Sequence, residues 1–377
     1  MEELEYNGNV EQYLCEKATI NHVPINAILE LTPLCNMNCD MCFVRLSQEE
    51  MKQKGRLRST EEWISLGKEM QKAGTMFVLL TGGEPLLYPG FKEIYVALKK
   101  MGMILTLNTN GTLIDERWAD FFAKYLPRRI NITLYGKDED TYGELCHYPD
   151  GYKKALNAIK LLQERKIDVK INGSITPANV NDIDALTAIA DKTGAVWKFD
   201  TYMYPASRER CRHFPQNARL TAEQAADVRV ALMKKRMSEE EFSRFAEEFI
   251  EKADMPSGEY VPTPVGCRAG RSSFIINWQG EMRPCVMMTE PTVPVFELGF
   301  QSSWGQLVES VSKIRLSPKC SVCAHREVCQ SCAACAFLES GSYEGVPEYM
   351  CEYTKRTIKR VREEWEKIQN GQNISDR

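Results

Sequence analysis

Cysteines are the residues of this sequence with the greatest capacity for chemistry, and 14 of its 377 residues are cysteine. Cys35, Cys39 and Cys42 form a C-x3-C-x2-C segment directly after a short apolar run. Three thiolates on one loop can bind three irons of a cubane cluster and leave the fourth iron open. Structural zinc takes four protein ligands, and no fourth Cys or His lies nearby. The segment therefore predicts an iron–sulfur cluster, with zinc and a redox thiol pair as the alternatives.

A Gly-Gly-Glu-Pro segment at residues 82–85 follows the next apolar run. Its glycines allow a close approach of the backbone to a ligand, and Glu84 supplies a carboxylate that can accept a hydrogen bond from an ammonium group. Later runs are followed by Asn108-Thr109-Asn110 or contain Thr133. Such residues also make ordinary turns, so both interpretations stay open for them.

These polar segments lie between short apolar runs that alternate with amphipathic helical stretches. The alternation predicts βα units and a parallel sheet, whose carboxyl-terminal edge would carry the polar segments. We predict strands at 27–31, 76–80, 103–107, 130–134, 168–171 and 196–200. We predict helices between them at 60–74, 91–102, 116–126, 151–165 and 180–194.

The amino-acid composition of the rest of the chain changes twice. Residues 205–260 are charged and predict a helical connector, with helices at about 221–236 and 239–253. A boundary follows near Val261, because the sequence then becomes rich in Gly, Pro and Cys. We therefore divide the chain into five parts. They are an N-terminal segment at 1–26, the α/β region at 27–204, the connector at 205–260, the Cys-rich region at 261–351, and a C-terminal helix and tail at 352–377.

Composition excludes several functional classes. The formal charge of -4 argues against a general nucleic-acid binder, which would carry a basic excess. No apolar run is long enough to span a bilayer, and the acidic N-terminal segment lacks the features of a signal peptide. We expect a cytoplasmic protein with reduced thiols and without a membrane or nucleic-acid partner. Cys15, Cys146 and Cys211 stand apart and are expected to be small buried hydrophobes.

The CNMNCDMC segment followed by GGEP resembles the radical S-adenosylmethionine (SAM) superfamily. The resemblance implies a partial (β/α)6 barrel, similar to a TIM barrel, and a 4Fe–4S cluster held by the three cysteines. It also implies that the methionine moiety of SAM chelates the open iron and that the GGEP segment receives its amino group. The residue before the third cysteine is usually aromatic and lies against the adenine, whereas this chain has a methionine there. The SAM-binding residues implied in this way are Met41, Gly82, Gly83, Glu84, Pro85, Asn108, Asn110 and Thr133.

The C-terminal cysteines resemble the SPASM domain, a two-cluster appendage of radical enzymes that modify peptides and proteins. Their layout is C-x12-G-x4-C, then C-x2-C-x5-C-x2-C-x2-C, then a final cysteine. The family pattern ends its central run with C-x5-C-x3-C, so Cys332 and Cys335 straddle the expected position. The resemblance implies an outer 4Fe–4S cluster held by Cys320, Cys323, Cys329 and Cys351, and an inner one held by Cys267, Cys285, Cys332 and Cys335.

Two alternatives stay open for this region. If only one of Cys332 and Cys335 binds, the inner cluster has an open iron that could take a substrate thiolate. Zinc is the other alternative, because paired C-x2-C spacings also occur in zinc sites. With eight cysteines for eight ligand positions, we favour full ligation and three 4Fe–4S clusters in all.

The resemblance implies reductive cleavage of SAM to a 5′-deoxyadenosyl radical that abstracts hydrogen from a substrate carbon. We expect a ribosomally made precursor peptide that receives a thioether or another oxidative crosslink. An anaerobic sulfatase maturase, which makes formylglycine, is an alternative, but those enzymes carry a carboxylate where this chain has Val286. A SPASM enzyme acting on a small molecule or cofactor precursor is another, and a non-catalytic electron-transfer module a third.

The partners implied are a precursor peptide or protein substrate and an electron donor of the flavodoxin or ferredoxin type. Only 26 residues precede the first predicted strand, too few for a winged-helix recognition domain. We therefore expect either a separate leader-recognition protein or recognition by the SPASM surface. The sequence identifies no general base, since its four histidines, His22, His147, His213 and His325, form no constellation.

Overall fold

A computed structural model describes residues 10–205, 218–256, 258–259 and 264–375 of the chain. Cys211, His213 and the predicted boundary at Val261 lie outside these residues. The described residues contain a nine-stranded sheet. Its strands are β1 Asn26–Glu30, β2 Phe77–Thr81, β3 Ile104–Thr109, β4 Arg129–Thr133, β5 Val169–Ser174, β6 Val196–Asp200, β7 Ser273–Ile276, β8 Glu281–Arg283 and β9 Val293–Pro294.

The described helices cover one face of this sheet and the regions beyond it. They are α1 Val10–Ile20, α2 Gln48–Lys54, α3 Thr60–Lys72, α4 Phe91–Lys100, α5 Glu116–Lys124, α6 Glu139–Cys146, α7 Gly151–Glu164, α8 Ile183–Thr193, α9 Ala222–Arg236, α10 Glu239–Ala253, α11 Val295–Leu298, α12 Phe300–Ser312, α13 Pro318–Ser321, α14 Ala333–Ser340 and α15 Glu348–Ser375. Short 3-10 turns occupy Pro85–Leu87 and Val180–Asp182.

The strand order is β6-β5-β4-β3-β2-β1-β7-β8-β9, and the first seven strands in this order are parallel. The α/β class with a parallel sheet, formed as a partial barrel, is thereby confirmed. Strand β7 comes from the Cys-rich region and pairs with β1, with Ala27 opposite Phe274. The sheet therefore continues through the Cys-rich region, which the sequence alone did not indicate because β7 has only four residues.

Successive side chains along each strand point to opposite faces of the sheet. The apolar ones face the helices, and the polar ones face the interior of the barrel. Leu105, Leu107, Ile130 and Ile132 are all fully buried on the helix-covered side. The residues between them are half-buried, and in β3 to β5 these include Asn108, Asn131, Lys170 and Asn172. Each fully buried aliphatic side chain stabilises the fold by about 1.5–3 kcal/mol. The polar side chains face the interior of the barrel, where they can contact a ligand.

Short capping signals fix several helix starts. Ser59 accepts a hydrogen bond from the backbone of Glu62, whose side chain accepts one from the backbone of Ser59, and α3 begins directly afterwards. Helix α6 was not predicted; it begins after Asp138, which accepts a hydrogen bond from the backbone N–H of Thr141. It ends at His147, which has a left-handed backbone with φ of 52°.

The long helix α15 packs on α9 and α10. The Arg356 guanidinium donates two hydrogen bonds of 2.7 Å to the carboxylate of Asp227 in α9. The helix begins at Glu348 rather than at the predicted residue 352, because Pro347 favours a helix start there. Cys351 therefore lies in its first turn. No helix among the described residues is both long and apolar enough to cross a bilayer.

Candidate active site

The loop with the first three cysteines lies at the carboxyl end of β1 and is fixed by the end of α6. The backbone N–H of Asn38 donates to the carbonyl of Cys146, and that of Asp40 donates to the carbonyl of Leu145, both over 3.0 Å. The His147 ring bonds the Asp40 carboxylate through Nε2 at 2.8 Å. The helix that the sequence did not predict therefore holds the cysteine loop.

The three cysteines line one cavity of about 600 Å³. Cys35 and Cys42 lie at its wall together with Cys39. Burial raises the pKa of the Cys35 thiol, and the nearby carboxylate of Glu84 raises it further. The side-chain amide of Asn110 donates to Cys35 Sγ over 3.6 Å, so the loop after β3 also contacts this thiol. A set of three thiols around one cavity has the donor chemistry that a 4Fe–4S cluster requires.

Cys146 lies beside this set. It is fully buried, as expected for an isolated cysteine, but its thiol is hydrogen-bonded with that of Cys39. This bond raises the pKa of Cys39 well above its ordinary value, and burial adds to the effect. Burial likewise raises the pKa of Tyr135, which lies close to both thiols. No local sequence signal connects Cys146 with the cysteine loop, because the pairing depends on where α6 ends.

Glu84 does not line the cavity; its side chain is completely buried behind the cavity wall. Its carboxylate accepts hydrogen bonds from the Thr109 hydroxyl and from the backbone N–H groups of Asn110 and Leu86. Burial raises the pKa of Glu84 to about 7 in spite of these bonds. The expectation that this carboxylate accepts the ammonium group of SAM therefore meets a side chain that is engaged within the protein.

The two glycines before Glu84 approach the cysteine loop closely. A Cβ on Gly82 would lie 2.5 Å from the carbonyl oxygen of Thr32, and one on Gly83 would lie 2.5 Å from that of Leu34. The Gly83 N–H donates to the Thr32 carbonyl over 2.7 Å. Glycine is therefore required here for backbone contact between the two loops, besides any approach to a ligand.

Most of the other predicted SAM-binding residues line the same cavity, and Pro85 does not, since it is buried in the 3-10 turn. Several lining residues were not predicted: three of them are polar residues of β5 and β6 whose alternation resembles an exposed edge, and the others lie on loops that follow the strands or the third cysteine. The predicted residues in the lining are Met41, Gly82, Gly83, Asn108, Asn110 and Thr133. The lining residues not predicted include Phe43, Tyr135, Ser174, Lys198, Asp200, Tyr202 and Tyr204.

The C-terminal cysteines come together in two neighbouring groups. Burial raises the pKa of Cys320, and the charges of Cys329 and Cys323 raise it further. The same neighbours act on Cys351, whose pKa is raised first by burial. These four thiols therefore lie near one another, and the charge of Cys329 also raises the pKa of Cys335. In the other group, burial raises the pKa of Cys285 to about 11, with added effects of Cys332 and Cys267.

Cys332 and Cys335 differ in their surroundings. Cys335 is fully buried in the first turn of α14, and burial raises its pKa to about 12. Its sulfur lies 3.0 Å from the hydroxyl of Tyr202, whereas the Cys332 sulfur lies 3.7 Å from that of Tyr204. Both tyrosines follow β6, so the Cys-rich region contacts the carboxyl edge of the barrel at this point.

In the part of the chain that the structure describes, no group of three His, Cys, Asp or Glu side chains is arranged to hold a metal ion. Zinc and iron–sulfur clusters therefore both stay predictions for the C-terminal cysteines, and the iron and zinc content of the protein distinguishes them.

The far wall of the cavity belongs to the Cys-rich region and the start of α15. It is formed by Val286, Met287, Gln330 and Met350. Val286 stands at the position where the resemblance to sulfatase maturases calls for a carboxylate. Asp200 is the one carboxylate among the described residues that line the cavity.

Sequence comparisons relate the chain to enzymes of known activity. Residues 29–189 match the Radical SAM superfamily. The AdoMet-dependent heme synthase of Methanosarcina barkeri is 24% identical over 330 residues, which cover 83% of this chain and 92% of that protein. The sporulation killing factor maturation protein SkfB of Bacillus subtilis is 26% identical over 195 residues, which cover 51% of this chain and 43% of that protein.

Solved structures share the fold. Streptococcus suis SuiB bound to S-adenosylmethionine superposes with a TM-score of 0.66 at 17% identity, over 91% of this chain and 81% of that chain. Native anSMEcpe with bound AdoMet superposes with a TM-score of 0.68 at 16% identity, over 92% of this chain and 100% of that chain. At these identities the likeness describes the fold.

Proposed function

Residues 29–189 are a radical SAM domain, and on this premise we propose that the protein is a peptide maturase that installs a thioether or another oxidative crosslink in a ribosomally made precursor. The observation that carries the proposal is the common cavity. Three loop thiols line one side of it, and the Cys-rich region forms the opposite wall. A substrate bound between these walls would lie close to the three loop thiols and to the Cys-rich region.

The residues fit the cofactors that the family requires. Cys35, Cys39 and Cys42 would hold the first 4Fe–4S cluster, and the lining residues near Gly83 and Asn110 would hold SAM. When bound, the cluster and SAM supply a 5′-deoxyadenosyl radical that abstracts hydrogen from the substrate. The protein orients the substrate carbon and excludes water. The two C-terminal groups of cysteines would hold two auxiliary 4Fe–4S clusters, which gives three in all.

The preference for a peptide substrate has two supports. SkfB is by its name a maturation protein, and SuiB has been solved with the precursor peptide SuiA. The sulfatase-maturase alternative is less well supported, because Val286 cannot act as a base and lines the cavity where a carboxylate is expected. A flavodoxin- or ferredoxin-type electron donor and a separate leader-recognition protein are the partners we propose.

A small-molecule substrate is the second candidate, and one observation favours it. The similarity to the heme synthase extends over 83% of this chain, whereas that to SkfB covers 51%. Similarity that includes the Cys-rich region is relevant to the substrate, since this region forms a wall of the cavity.

One experiment separates the two candidates. Anaerobically reconstituted protein is incubated with SAM, dithionite and either short peptides encoded beside its gene or iron-coproporphyrin III, the compound in the name of a further relative, the Fe-coproporphyrin III synthase of Methanosarcina barkeri. Products are followed by mass spectrometry. We expect 5′-deoxyadenosine in every reaction and the mass loss of a hydrogen pair in a peptide. A modified tetrapyrrole with unmodified peptides would favour the second candidate, and absence of 5′-deoxyadenosine would refute both.

A further inference from the structure

A second cavity of about 260 Å³ adjoins the first inside the barrel. It is lined by inward residues of β3 to β6 and the loop after β4, and no aliphatic side chain is among its described lining residues. Its lining is Asn108, Asn131, Thr133, Tyr135, Lys170, Asn172, Gly173, Ser174, Lys198 and Asp200. A polar cavity within a parallel sheet is suited to a polar ligand.

Strand register arranges part of this lining in rows. Asn108, Asn131 and Lys170 lie opposite one another on β3, β4 and β5. The Asn131 amide donates to Asn108 Oδ1 over 2.7 Å. Its own Oδ1 is buried and, among the described residues, has no hydrogen-bond partner. The row therefore retains one acceptor that the protein itself does not use, and a buried acceptor of this kind is satisfied by an N–H or O–H group of a ligand or by water.

Charge in this cavity is unbalanced. Lys198 is paired with Asp200 over 2.8 Å, and Arg129 nearby is paired with Asp168 over 2.8 Å. The ammonium group of Lys170 has neither a hydrogen bond nor an ion pair with any side chain in the described ranges. Burial lowers the pKa of Lys170, and the positive charges of Lys198 and Arg129 lower it further, while the Asp200 carboxylate partly opposes these effects. An anion bound beside Lys170 would relieve both effects.

We propose that Lys170, together with the side-chain N–H groups of Asn172, binds a carboxylate of the substrate. This inference rests on the proposed radical function and assigns the substrate an acidic group. Lys170 lies four residues before Ser174 on β5, which is about 13 Å at the usual rise of a strand. The carboxylate is thereby anchored deep in the barrel, and the reacting carbon extends toward the cysteine loop at the other end of the cavity.

Three sources could supply the carboxylate. An acidic side chain of a peptide and a propionate arm of a tetrapyrrole are the two substrate sources. SAM is the third, but the resemblance puts its carboxylate on the open iron, at the carboxyl edge of the sheet. The test must therefore compare both kinds of substrate probe and measure SAM binding separately.

The test uses reconstituted protein without reductant, so that binding is measured apart from radical chemistry. Iron-coproporphyrin III is compared with its tetramethyl ester by absorbance titration. A pool of acetylated, amidated hexapeptides with a central Glu is compared with its Gln counterpart by equilibrium dialysis and mass spectrometry. The variants are Lys170→Met, Lys170→Gln and Lys170→Arg. Lys160→Met is the matched control, since Lys160 is 71% exposed on the outer helix α7.

We expect at least one acidic probe to bind the wild type and to bind Lys170→Met and Lys170→Gln about tenfold more weakly or worse. Lys170→Arg and Lys160→Met should retain binding, and neutral probes should not distinguish the variants. SAM affinity and iron content should be unchanged, and so should 5′-deoxyadenosine formation in a separate assay with dithionite. Absence of 5′-deoxyadenosine from the wild type in that assay would instead refute the radical function.

Several results would overturn the carboxylate site. In the first, the wild type binds neither acidic probe. In the second, Lys170→Met binds the acidic probes as tightly as the wild type does. In the third, the Lys170 substitutions weaken binding of the ester or Gln probes as much as binding of the acidic probes. A fall in SAM affinity in the Lys170 variants would assign the lysine to the cofactor. Loss of iron from these variants, with Lys170→Arg unable to restore it, would assign Lys170 a purely structural role.

Discussion

The hydroxyl of Thr109 donates to the carboxylate of Glu84, at 2.9 Å from Oε1 and 3.0 Å from Oε2. This pair joins the end of β3 to the Gly-Gly-Glu-Pro segment. Because that segment contacts the backbone of the cysteine loop, three loops that are distant in sequence form one unit. Disturbance of the pair should therefore affect the cysteine loop as well as the cavity.

Replacement of Glu84 should destabilise this unit. In Glu84→Ala the Thr109 hydroxyl and the N–H groups of Asn110 and Leu86 lose their acceptor, at about 1–3 kcal/mol for each buried group left unpaired. We expect a lower thermal midpoint, weaker iron retention and more than tenfold weaker SAM binding. Glu93→Ala, on the exposed side of α4, is the control. Weaker SAM binding with unchanged stability would instead indicate direct contact.

The raised pKa of Glu84 predicts a pH dependence. The folded group titrates at about 7 and the unfolded group near 4.5, so the folded state retains the proton longer. As the pH rises through this window, the free energy of unfolding should fall by up to about 3 kcal/mol. Above pH 7 the contribution should stay constant. Thermal unfolding of wild type and Glu84→Gln across this range checks the expectation; parallel profiles would contradict it.

Gly83→Ala should separate the two loops. The added Cβ would lie 2.5 Å from the Leu34 carbonyl and 2.7 Å from that of Pro33, and backbone cannot yield as a flexible side chain does. We expect loss of the first cluster and of 5′-deoxyadenosine formation, measured by iron content and chromatography. Gly102→Ala serves as a comparison, because its Cβ would meet nothing within 4 Å, although its φ of 84° adds strain. A Gly83 variant with full iron would disprove the steric argument.

The two sets of cysteines should have separable functions. Cys35→Ala, Cys39→Ala and Cys42→Ala should each abolish 5′-deoxyadenosine formation under dithionite. Cys320→Ala or Cys351→Ala should spare part of it and stop substrate turnover. Reconstituted wild type should bind about twelve irons, at about four for each cubane cluster. About four irons with bound zinc would refute the auxiliary clusters, and equal loss in both sets would mean that those clusters are required for folding.

The adjacent cysteines of the inner group decide between two mechanisms. With full ligation, Cys332→Ser and Cys335→Ser should each lower the iron content by roughly one cluster, about four irons. Cys335 is the more informative of the two, since its buried sulfur lies against the Tyr202 hydroxyl. Full iron in Cys335→Ser would make it a spare thiol, and substrate thiolate binding at an open iron would become the better hypothesis.

The sequence predicted the strands of the barrel to within three residues, because their apolar alternation is strong. It did not predict α6, whose apolar pattern is weak and whose start depends on the Asp138 cap. The contact between Cys39 and Cys146 was missed for the same reason. The bonds of Glu84 could not be predicted either, since two of its three donors belong to a different strand end. Lys170 was overlooked because an inward polar residue of an open barrel has the pattern of a solvated strand face.

The parallel pairing of β7 with β1 has a consequence for dividing the chain into fragments. A fragment that ends near residue 260 would lack β7, and the main-chain N–H and C=O groups along that side of β1 would be left uncovered. Exposed strand edges of this kind recruit other strands and promote aggregation. The Cys-rich region thus protects the sheet edge as well as supplying thiols, so the region that precedes it is not a self-contained unit for expression.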